Sequence, residues 1–312
     1  MKTLTKKYKN ELVLVAVFLA LFIVFSFTSN RFFSLANVMN LFSQMTTLEL
    51  LTLGMAGSML SGGMDLSISA TCSLCTVLCA TFVGTQNMNT GLALLITLGV
   101  ALACGAFNGV LIGYCKINSM LVTLGTQSLY TGIGLVISKG VTVAIPTDRF
   151  GLFGRYMIGG VVPFQIVIMI VSIIAAILIF NYLIPGRRIY LIGANPEVAR
   201  FAGINIPKNI VFTYMFCGVC AFLGALIMAS RVASGRADVT SALLLKAVSA
   251  AVFGGVSTLG GIGTMFGATL GVAVITIISN GMDMMNLSTF LQQIFTGAML
   301  LIVLAFRHRG RR

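Results

Sequence analysis

Glu49, Asp65 and Asp283 are the side chains whose type best suits acid–base chemistry in this chain, and none has the company such chemistry needs. A catalytic or metal-binding carboxylate works beside a second carboxylate, a histidine or a cysteine. Only seven acids and one histidine occur in 312 residues. The histidine, His308, stands among tail arginines, which removes His-based triads and zinc-protease motifs. Cys72, Cys75 and Cys79 fall on one helical face, but Ser, Thr and aliphatics surround them. They read as small residues packing between helices, as do Cys217 and Cys220. No Gly-Lys dipeptide occurs, so a phosphate-cradling P-loop is excluded. No catalytic residue and no metal ligand is assigned, and no cofactor is expected in the chain itself.

The elements that carry these residues are read from hydropathy. Hydrophobic residues make up 58% of the chain and charged residues 9%, more apolar surface than one soluble core encloses. A helix crossing hydrocarbon needs about 20 mostly apolar residues. The apolar runs predict crossings at 11–27, 41–60, 67–84, 90–114, 119–138, 161–184, 210–230, 243–256, 263–281 and 289–306. The expected fold is all-α: one polytopic membrane domain over 1–312 with about ten transmembrane helices, embedded in a lipid bilayer.

Charge gives the orientation. Ten crossings put both termini on one side, and Lys and Arg collect in short cytoplasmic segments. Thirteen of the twenty Lys and Arg fall on the side of the termini, in the two tails, at Lys116, and at Arg187, Arg188, Arg200 and Lys208. Six fall opposite, and Lys246 lies near a span end. Both ends are expected in the cytoplasm. The net charge of +13 then resides in membrane-flanking segments and calls for no nucleic-acid partner. Lysines before an apolar run resemble a secretion signal, but 25–31 offers no Ala-x-Ala-type cleavage pattern, so this run is kept as the first span.

The cytoplasmic segment 186–208 is the most distinctive. Asn195 is a good N-cap, Pro196 suits the first helical position, and Glu197 complements the positive end of the dipole. Val198, Ala199, Arg200, Phe201 and Ala202 complete about two turns, and Gly203 supplies the left-handed residue that ends them. The helix so bounded has an apolar flank of Val198, Phe201 and Ala202, which suits a groove on a second protein. The alternative is an interfacial loop touching headgroups.

The order Gly186-Arg-Arg-Ile-Tyr190, Gly193-Ala-Asn-Pro-Glu-Val-Ala-Arg200, Ala202-Gly-Ile-Asn205 resembles the permease subunits of bacterial ABC importers for monosaccharides, the ribose-type family. Gly62-Gly-Met-Asp-Leu-Ser67, Asn108-Gly109, Thr123-Leu-Gly-Thr126, Gly254-Gly-Val-Ser257 and Gly260-Gly-Ile-Gly263 extend the likeness along nearly the whole chain. Branched-chain amino acid permeases share part of the second signature, while Gly62 to Ser67 is more similar to the sugar branch. The resemblance implies an ABC importer permease fold in the bacterial inner membrane. It also implies a coupling helix at 195–203 seated on a separate ATPase subunit that holds ATP and Mg, an extracytoplasmic sugar-binding protein, and a second permease subunit, the same or different.

One segment departs from that pattern. Leu244-Leu245-Lys246-Ala247 stands where the family usually shows Glu-Leu-Asp-Ala, which suggests a heterodimer whose companion keeps the acids. Asp65, after two glycines, is expected to cap the following helix through amides near Ser67 and Ile68, or to touch the cargo directly. Ser67, Ser73, Asn108, Thr123, Gln127 and Gln292 are polar side chains within spans that either line the path or bond between helices. No tryptophan is present, so the aromatic platform of a tight sugar site is not evident.

Three classes remain. An importer permease takes its energy from an ATPase partner. An ion-coupled carrier needs intramembrane carboxylates, of which only Glu49 lies well inside a span. A membrane enzyme needs a catalytic pair, and none is visible. The importer permease is the expected one, its cargo a pentose, a hexose or a sugar-derived molecule, with branched-chain amino acids or nucleosides as the alternative.

Overall fold

A computed structural model describes residues 9–28, 32–238, 241–288, 290–295 and 297–298. Its helices are α1 (Lys9–Thr28), α2 (Leu35–Leu60), α3 (Ile68–Ala80), α4 (Thr90–Gly113), α5 (Ser119–Ser138), α6 (Thr147–Phe150), α7 (Phe164–Ile177), α8 (Ile184–Ala194), α9 (Pro196–Phe201), α10 (Ile206–Val232), α11 (Ser241–Phe253) and α12 (Met265–Met284). Single π turns extend α3 over Thr81–Thr85 and α7 over Leu178–Tyr182. Four two-residue strands, β1 (Val143–Ala144), β2 (Met157–Ile158), β3 (Val162–Pro163) and β4 (Ser234–Gly235), pair antiparallel as β1 with β4 and β2 with β3.

Local chemistry sets many boundaries. Ser34, Asn89, Asn118, Asn205 and Thr264 each accept, through a side-chain oxygen, an amide of the first turn that would otherwise lack a partner. Pro207 in the first turn of α10 has no amide to satisfy there.

Among the described residues six helices are long and apolar enough to cross a bilayer: Ile68–Thr85, Thr90–Gly113, Ser119–Ser138, Phe164–Tyr182, Ile206–Val232 and Met265–Met284. The expectation of about ten crossings is met only in this coarser form. α2 is long, but Asn37, Ser43, Thr46, Thr47, Glu49 and Thr52 lower its hydropathy; 19 of its 26 residues are buried, which makes it an internal strut rather than a lipid-facing helix. The expected span 243–256 falls on α11, short of a full crossing among the described residues. Its 13 residues rise about 20 Å against roughly 30 Å of hydrocarbon. Hydropathy cannot see the reason: Gly255, Gly260, Gly261 and Gly263 all have positive φ, so the apolar run leaves the helix and returns as a loop over 254–264. The expected span 289–306 lies largely outside the described residues.

α10 is the central helix, packed on α2, α3 and α4. Close approach requires small residues: a methyl at Gly109 would stand 2.6 Å from the Val211 Cα, and Gly54 faces Cys217, whose Sγ lies 3.1 Å from the Gly54 carbonyl oxygen. The buried Cys72, Cys75, Cys79, Cys217 and Cys220 fill interhelical space as expected. Among the described residues no group of His, Cys, Asp and Glu is arranged to hold a metal. α2 and α12 run antiparallel, joined inside by Asn37 and Asn280, whose amides exchange hydrogen bonds of 3.1 and 3.2 Å.

The connections sort onto two ends of the bundle. At one end, the loop 61–67, the α4–α5 link, α8, α9 and the loop 254–264 come together around Gly193 and Ser61. At the other, Arg149 donates to Asn87 at 3.0 Å, the Gly154 amide donates to Ser230 Oγ at 2.8 Å, and β1 pairs with β4. Arg236 grips Asp238 at 3.0 Å at this second end and holds its carboxyl below the usual range.

Candidate functional site

The helix expected within 186–208 forms as α9. Asn195 Oδ1 accepts the amides of Glu197 at 3.0 Å and Val198 at 3.2 Å, with Pro196 in the first turn. Gly203 takes φ +74°. Its amide donates to the Arg200 carbonyl and the Ile204 amide to the Ala199 carbonyl, both at 3.0 Å, closing a Schellman-type end. Ala199 alone of the six helical residues turns inward, onto Ile192, Ile210 and Tyr214. Val198, Arg200 and Phe201 point out, and Phe201 is 90% exposed. A six-residue helix thus presents an aromatic side chain with its caps and its anchor already satisfied.

Replacing Asn195 with Ala strips two amides of their acceptor. The loss costs about 0.5–2 kcal/mol, and hydrogen exchange at Glu197 and Val198 is expected to accelerate about 2- to 30-fold in the solubilised protein.

What sequence reading missed is α8. Residues 186–194 form the body of a second helix with Pro185 in its first turn. Gly186 and Gly193 carry no side chain because backbone meets backbone at each: Gly186 lies on Phe180, and Gly193 lies on Leu60 and Gly261. Tyr190 donates to the Gly263 carbonyl at 2.9 Å, and burial pushes its phenol up to about 12, so it stays a donor. A cavity of about 580 Å³ opens beside α9, lined in part by Ser61, Lys116, Glu197, Arg200 and Asn205.

Four of the polar residues expected along the path meet in one buried cluster. Ser67 donates to Asp65 Oδ1 twice, from its amide at 3.0 Å and its hydroxyl at 2.6 Å. Asn108 of α4 donates to Ser67 Oγ at 2.8 Å, and Thr123 of α5 bonds the Met64 carbonyl at 3.2 Å. Asp65 therefore caps the break before α3 through Ser67; the Ile68 amide turns instead to the Asp65 backbone carbonyl at 3.4 Å. Sequence reading did not find Ser58, whose Oγ accepts the Asp65 amide at 3.2 Å, or Tyr130, whose hydroxyl sits 3.0 Å from the Cys104 carbonyl and 3.3 Å from Asn108 Oδ1.

The other three lie elsewhere. Ser73 is buried further along α3, and Gln127 is half-buried on α5. Gln292 donates to Asp283 at 2.7 Å, beyond the end of α12. Asp283 itself sits in the last turn of α12.

The site is thus a short capped helix projecting from a bundle of apolar helices, with a polar cluster at an interrupted span. The family model described as "Branched-chain amino acid transport system / permease component" matches residues 37–304. The chain belongs to this permease family. It is similar to the ribose import permease protein RbsC of Escherichia coli K12, with 29% identity covering 96% of this chain and 94% of that protein. It is equally similar, at 29%, to the galactose/methyl galactoside import permease protein MglC of Salmonella typhimurium, covering 98% and 97%. The autoinducer 2 import system permease protein LsrD of Klebsiella pneumoniae is 31% identical over 96% and 92%. No solved structure matches. The matched span takes in the buried cluster, α8, α9 and the loop 254–264 of the permease.

Proposed function

We propose that this permease is the transmembrane subunit of an importer for a monosaccharide or a sugar-derived molecule, driven by a separate ATPase subunit that holds ATP and Mg. The observation that carries the reading is α9, a rigidly capped helix whose exposed Phe201 suits an apolar groove on a soluble partner. Ribose, galactose and autoinducer 2 in the names of three relatives that align along nearly their whole lengths support the cargo class. The domain spans 1–312 with about ten crossings in the bacterial inner membrane and both termini in the cytoplasm, where α9 also lies. An extracytoplasmic binding protein delivers cargo at the opposite end of the bundle.

The cargo path runs past the interrupted segments, with Asp65, Ser67, Ser73, Asn108, Thr123, Gln127 and Gln292 as its candidate polar residues. A second permease subunit closes it. Lys246, half-buried on α11 within the field of Asp283, supports a companion of different sequence, because two like subunits would set two lysines along one path. The description of the family favours branched-chain amino acids as the second reading. Uptake by the reconstituted complex of labelled ribose, galactose and leucine, each with its binding protein, decides between them. Sugar uptake with no leucine uptake is expected, and the reverse would overturn the assignment.

A further inference from the structure

Four glycines from three separate segments meet where α9 joins the bundle. Gly62 follows α2, Gly193 lies two residues before the cap of α9, and Gly260 and Gly261 lie in the loop before α12. A methyl at Gly260 would stand 2.6 Å from the Gly193 carbonyl oxygen and 2.8 Å from the Gly62 Cα; one at Gly261 would stand 2.6 Å from the Ala194 Cα. Gly62, Gly260 and Gly261 all have positive φ. Two hydrogen bonds lock the contact: the Gly261 amide to the Leu60 carbonyl at 3.0 Å, and the Tyr190 hydroxyl to the Gly263 carbonyl at 2.9 Å.

We propose that this junction transmits movement of α9 to both interrupted segments, 61–67 and 254–264, with Gly193 and Tyr190 as positioning residues. The proposal rests on the reading that α9 seats on an ATPase. Backbone packed on backbone leaves no side-chain rotamer to absorb a displacement, so a shift of α8 passes on nearly undiminished. It reaches the Asp65 cluster through Leu60 and Ser58, whose Oγ holds the Asp65 amide. It reaches α12 through Gly263 and Thr264, whose Oγ1 caps that helix by accepting the Gly267 amide at 2.9 Å. Asn195, capping α9 next to Ala194, makes α8 and α9 one mechanical piece.

The test needs no knowledge of the cargo. Cys115 is exposed, whereas the other six cysteines are buried, so Cys115→Ser removes the reactive thiol, and Ile262→Cys places one on an exposed residue of the loop. In the assembled complex the rate of maleimide labelling at position 262 is compared with and without ATP. The parent is expected to show an ATP-dependent change. Tyr190→Phe removes only a hydroxyl, and it is expected to shrink that change about 2- to 10-fold, the effect of one hydrogen bond, with ATP hydrolysis and ATPase stoichiometry retained. Gly193→Ala is expected to shrink it further. An unaltered change in Tyr190→Phe overturns the proposal, as does a parent that associates and hydrolyses ATP with no change at 262. A parent that never binds an ATPase instead overturns the reading beneath it.

Discussion

Phe201→Asp is expected to weaken association with the proposed ATPase subunit sharply while leaving the permease folded. Phe201 is 90% exposed and touches no buried cluster, so its replacement changes stability by no more than about 0.5 kcal/mol. In a groove the same ring is an anchor of the kind that costs about 2–4 kcal/mol on loss, and a carboxylate placed there is desolvated without a partner. Affinity for the ATPase is expected to fall about 30- to 1,000-fold, measured by co-purification from detergent or by titration of one subunit with the other. The thermal midpoint of the isolated permease serves as control. An interfacial loop touching headgroups gives the opposite pattern, with the complex retained and only lipid contact altered.

Asp65→Ala has the second large effect, and its origin is internal. The alanine leaves the Ser67 amide and hydroxyl without their shared acceptor in a cluster where Asp65, Ser67, Asn108 and Thr123 are all buried. Two unsatisfied buried donors cost about 2–5 kcal/mol, equivalent to a drop of roughly 4–10 °C in thermal midpoint. Asp65→Asn keeps an acceptor oxygen at the same place and is expected to recover most of that loss. The pair of variants separates the two roles open to this carboxylate. Recovery of both stability and transport in Asp65→Asn identifies a cap, whereas recovered stability with transport still lost identifies a charge that the cargo needs.

What sequence made legible was local. Asn195, Pro196 and Gly203 encode α9 because a cap, a first-turn proline and a left-handed stop act within a few residues of one another. The run 119–138, read from hydropathy, coincides with α5, which in the structure Asn118 caps and Lys139 ends at φ +54°. The misses are tertiary. Gly186 and Gly193 look like loop residues until Phe180, Leu60 and Gly261 are seen against them, so α8 is invisible to propensity. The run 243–256 looks like a span until the chain leaves the helix at Gly254 and Gly255 and the loop that follows brings Gly260 against Gly62 and Gly193. The buried cluster was half legible: Asp65, Ser67, Asn108 and Thr123 stand out as polar residues in apolar runs, but nothing in sequence joins them to Ser58 or Tyr130. Gln292 was grouped with them by polarity alone; it lies beyond the end of α12, where it bonds Asp283 of the last turn, away from the cluster.

This permease is expected to move solute only when a separate ATPase works through α9. Uptake of labelled sugar into proteoliposomes is the direct measurement, made with the permease alone and then with the ATPase subunit, binding protein and ATP. Uptake is expected only in the complete system, and it is expected to vanish with Phe201→Asp. Uptake at full rate by the permease alone, without nucleotide, would contradict the account.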